Sequence, residues 1–107
     1  MKSSKNLVVS FFIVIFVLRT TTIMKRKIDI TTYEHVDEIY WGSYYKSSYN
    51  HNYYYSPVLK DVILEECDDD GYFQYWRLNG YSTQYLGDYY GVGGIFEDEV
   101  GIVELDN

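Results

Sequence analysis

The sequence predicts a mainly β protein, a small antiparallel sheet that follows an N-terminal hydrophobic helix. Aromatic and β-branched residues are concentrated in short runs, the pair Asn79-Gly80 separates two of these runs, and glycines at 87, 91, 93 and 94 interrupt the chain. Strands favour aromatic and β-branched side chains, and Asn-Gly favours a tight hairpin turn. We expect a small, mainly antiparallel β domain of about four to six strands in total.

The N-terminal element is an almost uninterrupted apolar run at residues 7–18, with Lys2 and Lys5 before it and Arg19 after it. As a helix this run spans about 18 Å, whereas the bilayer core is about 30 Å thick. This length is typical of the hydrophobic region of a secretory signal. We therefore predict a signal peptide over residues 1–22 and a secreted protein.

An uncleaved transmembrane helix is the alternative interpretation of the same segment. Arg19 and the basic residues at 25–27 follow the apolar run. The positive-inside rule would then keep the C-terminal part in the cytoplasm. The protein would be a single-pass membrane protein that contacts the bilayer only through residues 7–18. Initiation at Met24 would instead give a cytosolic protein.

Residues 23–56 form a basic flank and a tyrosine-rich segment, and seven of the tyrosines lie between Tyr40 and Tyr55. The segment shows no clear period of two or 3.6 residues, which predicts a loop or an irregular strand. Tyrosine combines a large apolar ring with a polar tip, a combination that favours recognition surfaces. We predict an interaction role, towards a protein or a carbohydrate, for Trp41, Tyr44, Tyr45, Tyr49, Tyr53, Tyr54, Tyr55 and Trp76. The alternatives are an aromatic core and an extracellular structural protein cross-linked through tyrosine.

Residues 57–107 are expected to form a small β-rich domain. Ser56-Pro57 can begin a short helical turn near 57–63 that runs into a strand. A hairpin over 72–86 follows, and a two-residue type I′ turn would place Leu78 opposite Tyr81 and Trp76 opposite Thr83. Short apolar segments at 95–96 and 100–105 predict a terminal hairpin.

The charge and the cysteine content of the chain limit the classes of partner that it can bind. From residue 23 onward the chain has 16 acidic and six basic residues, a formal charge of −10. Such a domain repels phosphate backbones, so we expect no nucleic-acid binding. Cys67 is the single cysteine. It excludes an intramolecular disulfide but permits a dimer linked through Cys67; a buried or free thiol is the alternative.

No pattern predicts a catalytic, cofactor or metal site. The acidic segment 65–71 fails as a calcium-binding EF-hand loop, because Arg77 stands where a bidentate Glu is required. It is predicted to be an acidic turn. His35, His51 and Cys67 show no metal-ligand or dyad spacing, and no phosphate-binding motif is present. The sequence therefore favours a non-enzymatic binding protein.

Overall fold

The computed structural model describes residues 27–80 and 82–106, and this part of the chain is mainly β with antiparallel pairing. The predicted fold class is confirmed at that level. The signal or anchor predicted at residues 1–22 lies outside the described residues. The described residues form nine strands, which is more than the four to six expected. These strands are β1 (Lys27–Asp29), β2 (Glu34–Val36), β3 (Glu38–Trp41), β4 (Ser43–Lys46), β5 (His51–Ser56), β6 (Asp61–Cys67), β7 (Tyr72–Leu78), β8 (Thr83–Tyr90) and β9 (Ile102–Glu104).

A five-stranded sheet in the order β2-β5-β6-β7-β8 forms the centre of the fold. Its last four strands form an antiparallel meander, and β2 pairs with the free side of β5. Because side chains alternate along a strand, the sheet has two faces. We call the one that carries Tyr54, Ile63 and Tyr75 the first face, and the one that carries Tyr53, Leu64 and Trp76 the second face. The tyrosine-rich segment and the chain after residue 57 share this sheet, because β5 pairs with β6 from His51 to Ser56.

The main core lies on the first face, beneath a ribbon of β1 and β9 and a short helix, α1 (Ile95–Asp98). Ile28 and Val103 are paired across this ribbon, and both are buried. Removal of apolar surface from water is the main stabilising contribution in such a core. The buried members are Ile28, Ile30, Ile63, Phe73, Tyr75, Leu86, Ile95, Val103 and Leu105.

A second core lies on the second face, where the β3–β4 hairpin folds over one end of the sheet. Ile39, Trp41 and Tyr45 pack there against the buried residues Tyr53, Val62 and Leu78. The indole Nε1 of Trp41 donates a 3.1 Å hydrogen bond to the carbonyl oxygen of Leu78. This bond ties the hairpin to the end of β7. The opposite side of the hairpin carries Tyr40 and Tyr44, which are exposed.

The sequence predicts a loop or an irregular strand over residues 40–55; β4 and β5 occupy most of this segment, so the loop is wrong and the strand alternative agrees with the structure. β5 buries residues on both faces, so its sequence lacks the alternation of a strand with one wet face. A turn closed by the Ser48–His51 bridge also separates β4 from β5, and these two strands belong to different sheets. No single period therefore runs through the segment.

The hairpin formed by β7 and β8 contains Asn79-Gly80, but its predicted register is wrong. Leu78 is opposite Thr83 and Trp76 is opposite Tyr85, a shift of two residues along β8. Gly80 has a positive φ of 70°, but Asn79 does not have a positive φ. Among the described non-glycine residues, a positive φ occurs at Lys60. Asn79 therefore does not adopt the conformation that a type I′ turn requires. A longer turn closes instead, with the Asn79 N–H donating to the Ser82 carbonyl at 2.9 Å.

The turn predicted to begin at residue 57 and to run into a strand forms, but it is not helical and it does not extend to residue 63. Ser56 does accept a hydrogen bond from the N–H of Leu59, at 3.0 Å, as the capping prediction requires. The turn ends at Lys60, whose φ is +53°, and β6 begins at Asp61. Val62 and Ile63 consequently lie on opposite faces of the sheet instead of on one helical face. An apolar run buried on both sides has no period that distinguishes a strand from a helix.

The terminal hairpin predicted from 95–96 and 100–105 does not form. Ile95 begins α1 and is fully buried, whereas Ile102–Glu104 is β9 and pairs with β1 near the start of the described chain. A four-residue helix is too short to show a helical period, and a partner more than 70 residues away leaves no local signal.

Candidate functional site

The aromatic residues predicted to form an interaction surface are divided between the two cores and the exterior. Tyr53 and Tyr54 are buried, on opposite faces of the sheet. Trp41, Tyr45 and Tyr55 are half-buried against the second core, and Trp76 is half-buried farther along the second face. Tyr44 and Tyr49 are exposed. The interaction role of these eight residues stays a prediction, but only the exposed and half-buried rings can contribute contact area.

Beyond the β3–β4 hairpin, the second face carries a row of polar side chains. The cross-strand pairs place His51 beside Glu66, Glu66 beside Gln74, and Gln74 beside Asp88. All four residues are partly exposed. His51 Nε2 lies 3.5 Å from Glu66 Oε2. This polar row crosses four adjacent strands and presents both hydrogen-bond donors and acceptors.

An aromatic pair lies on each side of the polar row. The ring centroids of Trp76 and Tyr85 are 4.8 Å apart on the hairpin side, and those of Tyr72 and Tyr90 are 5.0 Å apart on the other. Tyr90 is the most accessible of the four, with 73% of its surface exposed. We call the polar row and these two pairs the aromatic platform. It comprises His51, Glu66, Tyr72, Gln74, Trp76, Tyr85, Asp88 and Tyr90.

The aromatic platform includes a shallow cleft of about 210 Å³, whose lining includes Glu66, Asp68, Tyr72 and Gln74. Partial burial, followed by the neighbouring Asp88 carboxylate, raises the pKa of the Tyr72 hydroxyl. The phenol therefore remains protonated at neutral pH and can donate a hydrogen bond. The cleft thus combines a phenol, an amide and carboxylates beside aromatic rings.

A larger cavity, of about 440 Å³, opens on the first face. Its floor is Glu65, a strand residue with only 2% of its surface exposed. Its wall includes the rings of Tyr54 and Phe96, which are stacked with centroids 3.8 Å apart. The remaining lining residues are His35, Asn52, Phe73, Gly93 and Glu97.

Glu65 is held in place by neighbouring strands. Its Oε2 accepts a 2.6 Å hydrogen bond from the hydroxyl of Tyr75, and its Oε1 accepts one from the Asn52 amide at 3.2 Å. The Tyr75 hydroxyl in turn accepts the backbone N–H of Ile95 at 2.8 Å. Burial raises the pKa of the Glu65 carboxyl, and the two donated hydrogen bonds oppose this shift. The carboxyl is therefore preorganised but costly to ionise without a compensating charge.

The acidic segment 65–71 does not converge on one point. Glu65 lies on the first face and Glu66 on the second, while Asp68 caps the following turn by accepting the N–H groups of Asp70 and Tyr72. Over residues 27–80 and 82–106, no group of three or more His, Cys, Asp or Glu side chains is arranged to hold a metal ion.

Cys67 is half-buried at the end of β6 and forms no disulfide in the structure. Burial, followed by the nearby carboxylates of Glu65, Asp68 and Asp69, raises the pKa of its thiol. A raised pKa leaves little thiolate at neutral pH, so this thiol is a weak nucleophile.

Sequence reasoning did not identify either the first-face cavity or the platform as a unit. The one local signal for Glu65 was its place two residues after Ile63 in a strand, which puts it on a core face. In the sequence, Gly93 and Gly94 stood out only as interruptions of the chain. Gly94 instead lies directly against Glu65 and Tyr75, and Gly93 lines the cavity.

No protein-family model, curated protein or solved structure matches this chain. In the described ranges, no helix has both the length and the apolar character needed to cross a membrane.

Proposed function

We propose that the protein is a non-enzymatic carbohydrate-binding protein and that the aromatic platform is its binding surface. The observation that carries this proposal is the polar row between two aromatic pairs. Sugar rings present apolar C–H faces that pack on aromatic rings, and hydroxyl groups that exchange hydrogen bonds with carboxylates and amides. Ligand sites commonly combine aromatic contact area with a few oriented polar groups, as the platform does.

The dimensions of the platform favour an oligosaccharide over a single sugar. The polar row runs from His51 on β5 to Asp88 on β8, and three spacings between adjacent strands correspond to about 14 Å. An extended chain of sugars can follow this row while its rings contact Trp76 on one side and Tyr90 on the other. The cleft beside Tyr72 and Gln74 would receive one ring more deeply.

A direct test measures binding of the purified full-length protein to cellohexaose, chitohexaose and xylohexaose by isothermal titration calorimetry. We expect at least one of them to bind, and Tyr90→Ala to weaken that binding about tenfold, which corresponds to about 1.4 kcal/mol. Tyr40→Ala is the matched control, since Tyr40 is 78% exposed but lies on the outer side of the β3–β4 hairpin. Absence of binding to all three sugars, or equal effects of the two substitutions, would contradict the proposal.

We further propose that the protein acts outside the cell, as the signal-like segment at 1–22 indicates. The alternative is a single-pass membrane protein anchored through 7–18. N-terminal sequencing of the natively produced protein, together with fractionation into medium and membranes, distinguishes them. We expect a chain in the medium that begins near Ile23. An intact Met1 in the membrane fraction would favour the anchor.

Tyrosine cross-linking is a second candidate function, because one tyrosine pair is both close and exposed. The rings of Tyr40 and Tyr44 have centroids 6.1 Å apart and face away from the second core. Coupling of two such phenols between molecules forms a C–C bond and removes one hydrogen atom from each, so it requires an oxidant such as peroxide with a peroxidase. Dityrosine in hydrolysates of the native protein, reduced by Tyr40→Phe, would support this function; its absence would contradict it.

A further inference from the structure

We propose that the first-face cavity is a binding site for a small organic cation, whose ammonium group is received by Glu65 and Glu97 and whose carbon skeleton packs against Tyr54 and Phe96. This site lies on the opposite side of the sheet from the aromatic platform. It is therefore independent of the proposed carbohydrate-binding function.

The size and form of the cavity are those of a small-molecule site. Its volume of about 440 Å³ lies within the range of about 300 to 1,000 Å³ that is typical of ligand pockets. Strands β2, β5, β6 and β7 supply one wall, and the chain from Gly93 to Glu97 supplies the other. A cavity between a sheet and a covering segment can enclose most of a small ligand.

The acidic side chains of the cavity indicate that its ligand is positively charged. Glu65 and Glu97 both line it, and the charge of Glu97 contributes to the raised pKa of Glu65. Among the described residues, His35 is the basic side chain that lines the cavity, and no lysine or arginine does so. An ammonium group would supply a permanent positive charge, and it would satisfy oxygen lone pairs that the Tyr75 and Asn52 donors leave available.

The aromatic wall favours an organic cation over a bare metal ion. The rings of Tyr54 and Phe96 are stacked on each other, and His35 meets Tyr54 edge-on with centroids 5.4 Å apart. Because the two stacked rings cover one face of each other, their contribution is apolar contact with the carbon atoms attached to the ammonium group. Aromatic rings supply no oxygen ligands, whereas a hydrated metal ion requires several.

A matched pair of probes tests the charge requirement. Phenethylamine and 2-phenylethanol have the same ring and the same chain length, but only the amine carries a positive charge at pH 7.5. Isothermal titration calorimetry with the purified full-length protein should show the amine binding at least about tenfold more tightly than the alcohol. Equal affinities, or no binding of phenethylamine at millimolar concentration, would overturn the proposal.

Substitutions of the two glutamates test whether phenethylamine binds in this cavity. Glu65→Gln keeps an acceptor for Tyr75, and Glu97→Gln changes an exposed side chain. Each should weaken phenethylamine binding about tenfold, with Glu104→Gln, an exposed carboxylate on β9, as the unaffected control. If Glu65→Gln loses its native near-UV circular dichroism, Glu97→Gln alone decides the outcome. Unchanged affinity in Glu97→Gln would then place the amine elsewhere and overturn the assignment.

Discussion

Glu65 and Tyr75 are direct neighbours across β6 and β7, and the Tyr75 hydroxyl donates a 2.6 Å hydrogen bond to the buried Glu65 carboxylate. The same hydroxyl accepts the N–H of Ile95, the first residue of α1. One phenol therefore joins the central sheet, a buried acid and the segment that covers the first face. This linkage makes the stability of the fold dependent on the structure of the cavity.

Replacing Tyr75 with Phe should destabilise the protein by about 1–3 kcal/mol. The ring would still fill the core, but the Glu65 carboxylate and the Ile95 N–H would each lose a buried hydrogen-bond partner. The measurement is urea unfolding followed by circular dichroism. Tyr40→Phe, at an exposed position, should change the free energy of unfolding by less than about 0.5 kcal/mol. A similar small change in Tyr75→Phe would show that the hydroxyl is not needed.

Glu65 should make the protein less stable as pH rises through the raised pKa of its carboxyl. The pKa is raised in the folded state by burial, so between the unfolded and folded values the native state binds the proton more strongly. The contribution is therefore full at low pH, below the unfolded pKa, and is lost as the carboxylate forms. The test compares unfolding free energies of the wild type and Glu65→Gln from pH 4 to pH 8. The difference should shift in favour of the glutamine variant with increasing pH; a constant difference would contradict this interpretation.

Gly94→Ala should be much more destabilising than Gly101→Ala. Both glycines have positive φ, 80° and 76°, so both alanines carry a similar backbone cost of about 1–2 kcal/mol. A methyl group at Gly94 would also collide with the Glu65 carboxylate and lie 2.7 Å from the Tyr75 hydroxyl, whereas nothing lies within 4 Å at Gly101. Thermal unfolding of the two variants measures the extra cost of the collision. Equal melting temperatures would mean that the α1 segment can move away freely.

Trp41→Phe should cost about 1 kcal/mol more than Trp76→Phe. The Nε1 of Trp41 is bonded to the Leu78 carbonyl, but the Nε1 of Trp76 is buried without a hydrogen-bond partner among the described residues. Loss of a paired donor removes a net favourable interaction, whereas loss of an unpaired buried donor removes a desolvation cost. Urea unfolding gives the two values. Hydrogen exchange should also show faster opening of β3 and β4 in Trp41→Phe alone; similar exchange in both variants would argue against this anchor.

Local chemistry explains which parts of the fold could be predicted. The strand runs around Asn79-Gly80 are short-range features, since alternation and turn preference depend on a few adjacent residues. The register at Leu78 and Trp76 was wrong because the turn closes through Ser82, and a β-bulge between Tyr75 and Trp76 then shifts the pairing by one more residue, so that Tyr75 is opposite Gly87. A bulge changes which residue is opposite which, and its position depends on packing on both faces.

The candidate sites were less predictable than the strands. Trp76 was identified as an interaction residue from its chemistry, but its platform neighbours lie on three other strands of the sheet as well as on its own strand. Glu65 was counted as one member of an acidic run, although its neighbour Glu66 lies on the opposite face. Strand pairing places the adjacent residues Glu65 and Glu66 on opposite faces of the sheet, and therefore in two separate sites. Composition alone could not do so, because it contains no information about faces.

The sequence by itself determined the β-rich character of the chain, its acidic charge and the absence of an intramolecular disulfide, because these follow from residue types and short-range preference. Tertiary structure alone decided that β1 pairs with β9, that the β3–β4 hairpin covers one end of the second face, and that Glu65 becomes the floor of a cavity. Those outcomes depend on contacts between residues far apart in the chain. Such contacts form where the free energy gained by burying apolar area exceeds the entropic cost of closing long loops. Neither quantity can be judged from a short segment of the sequence.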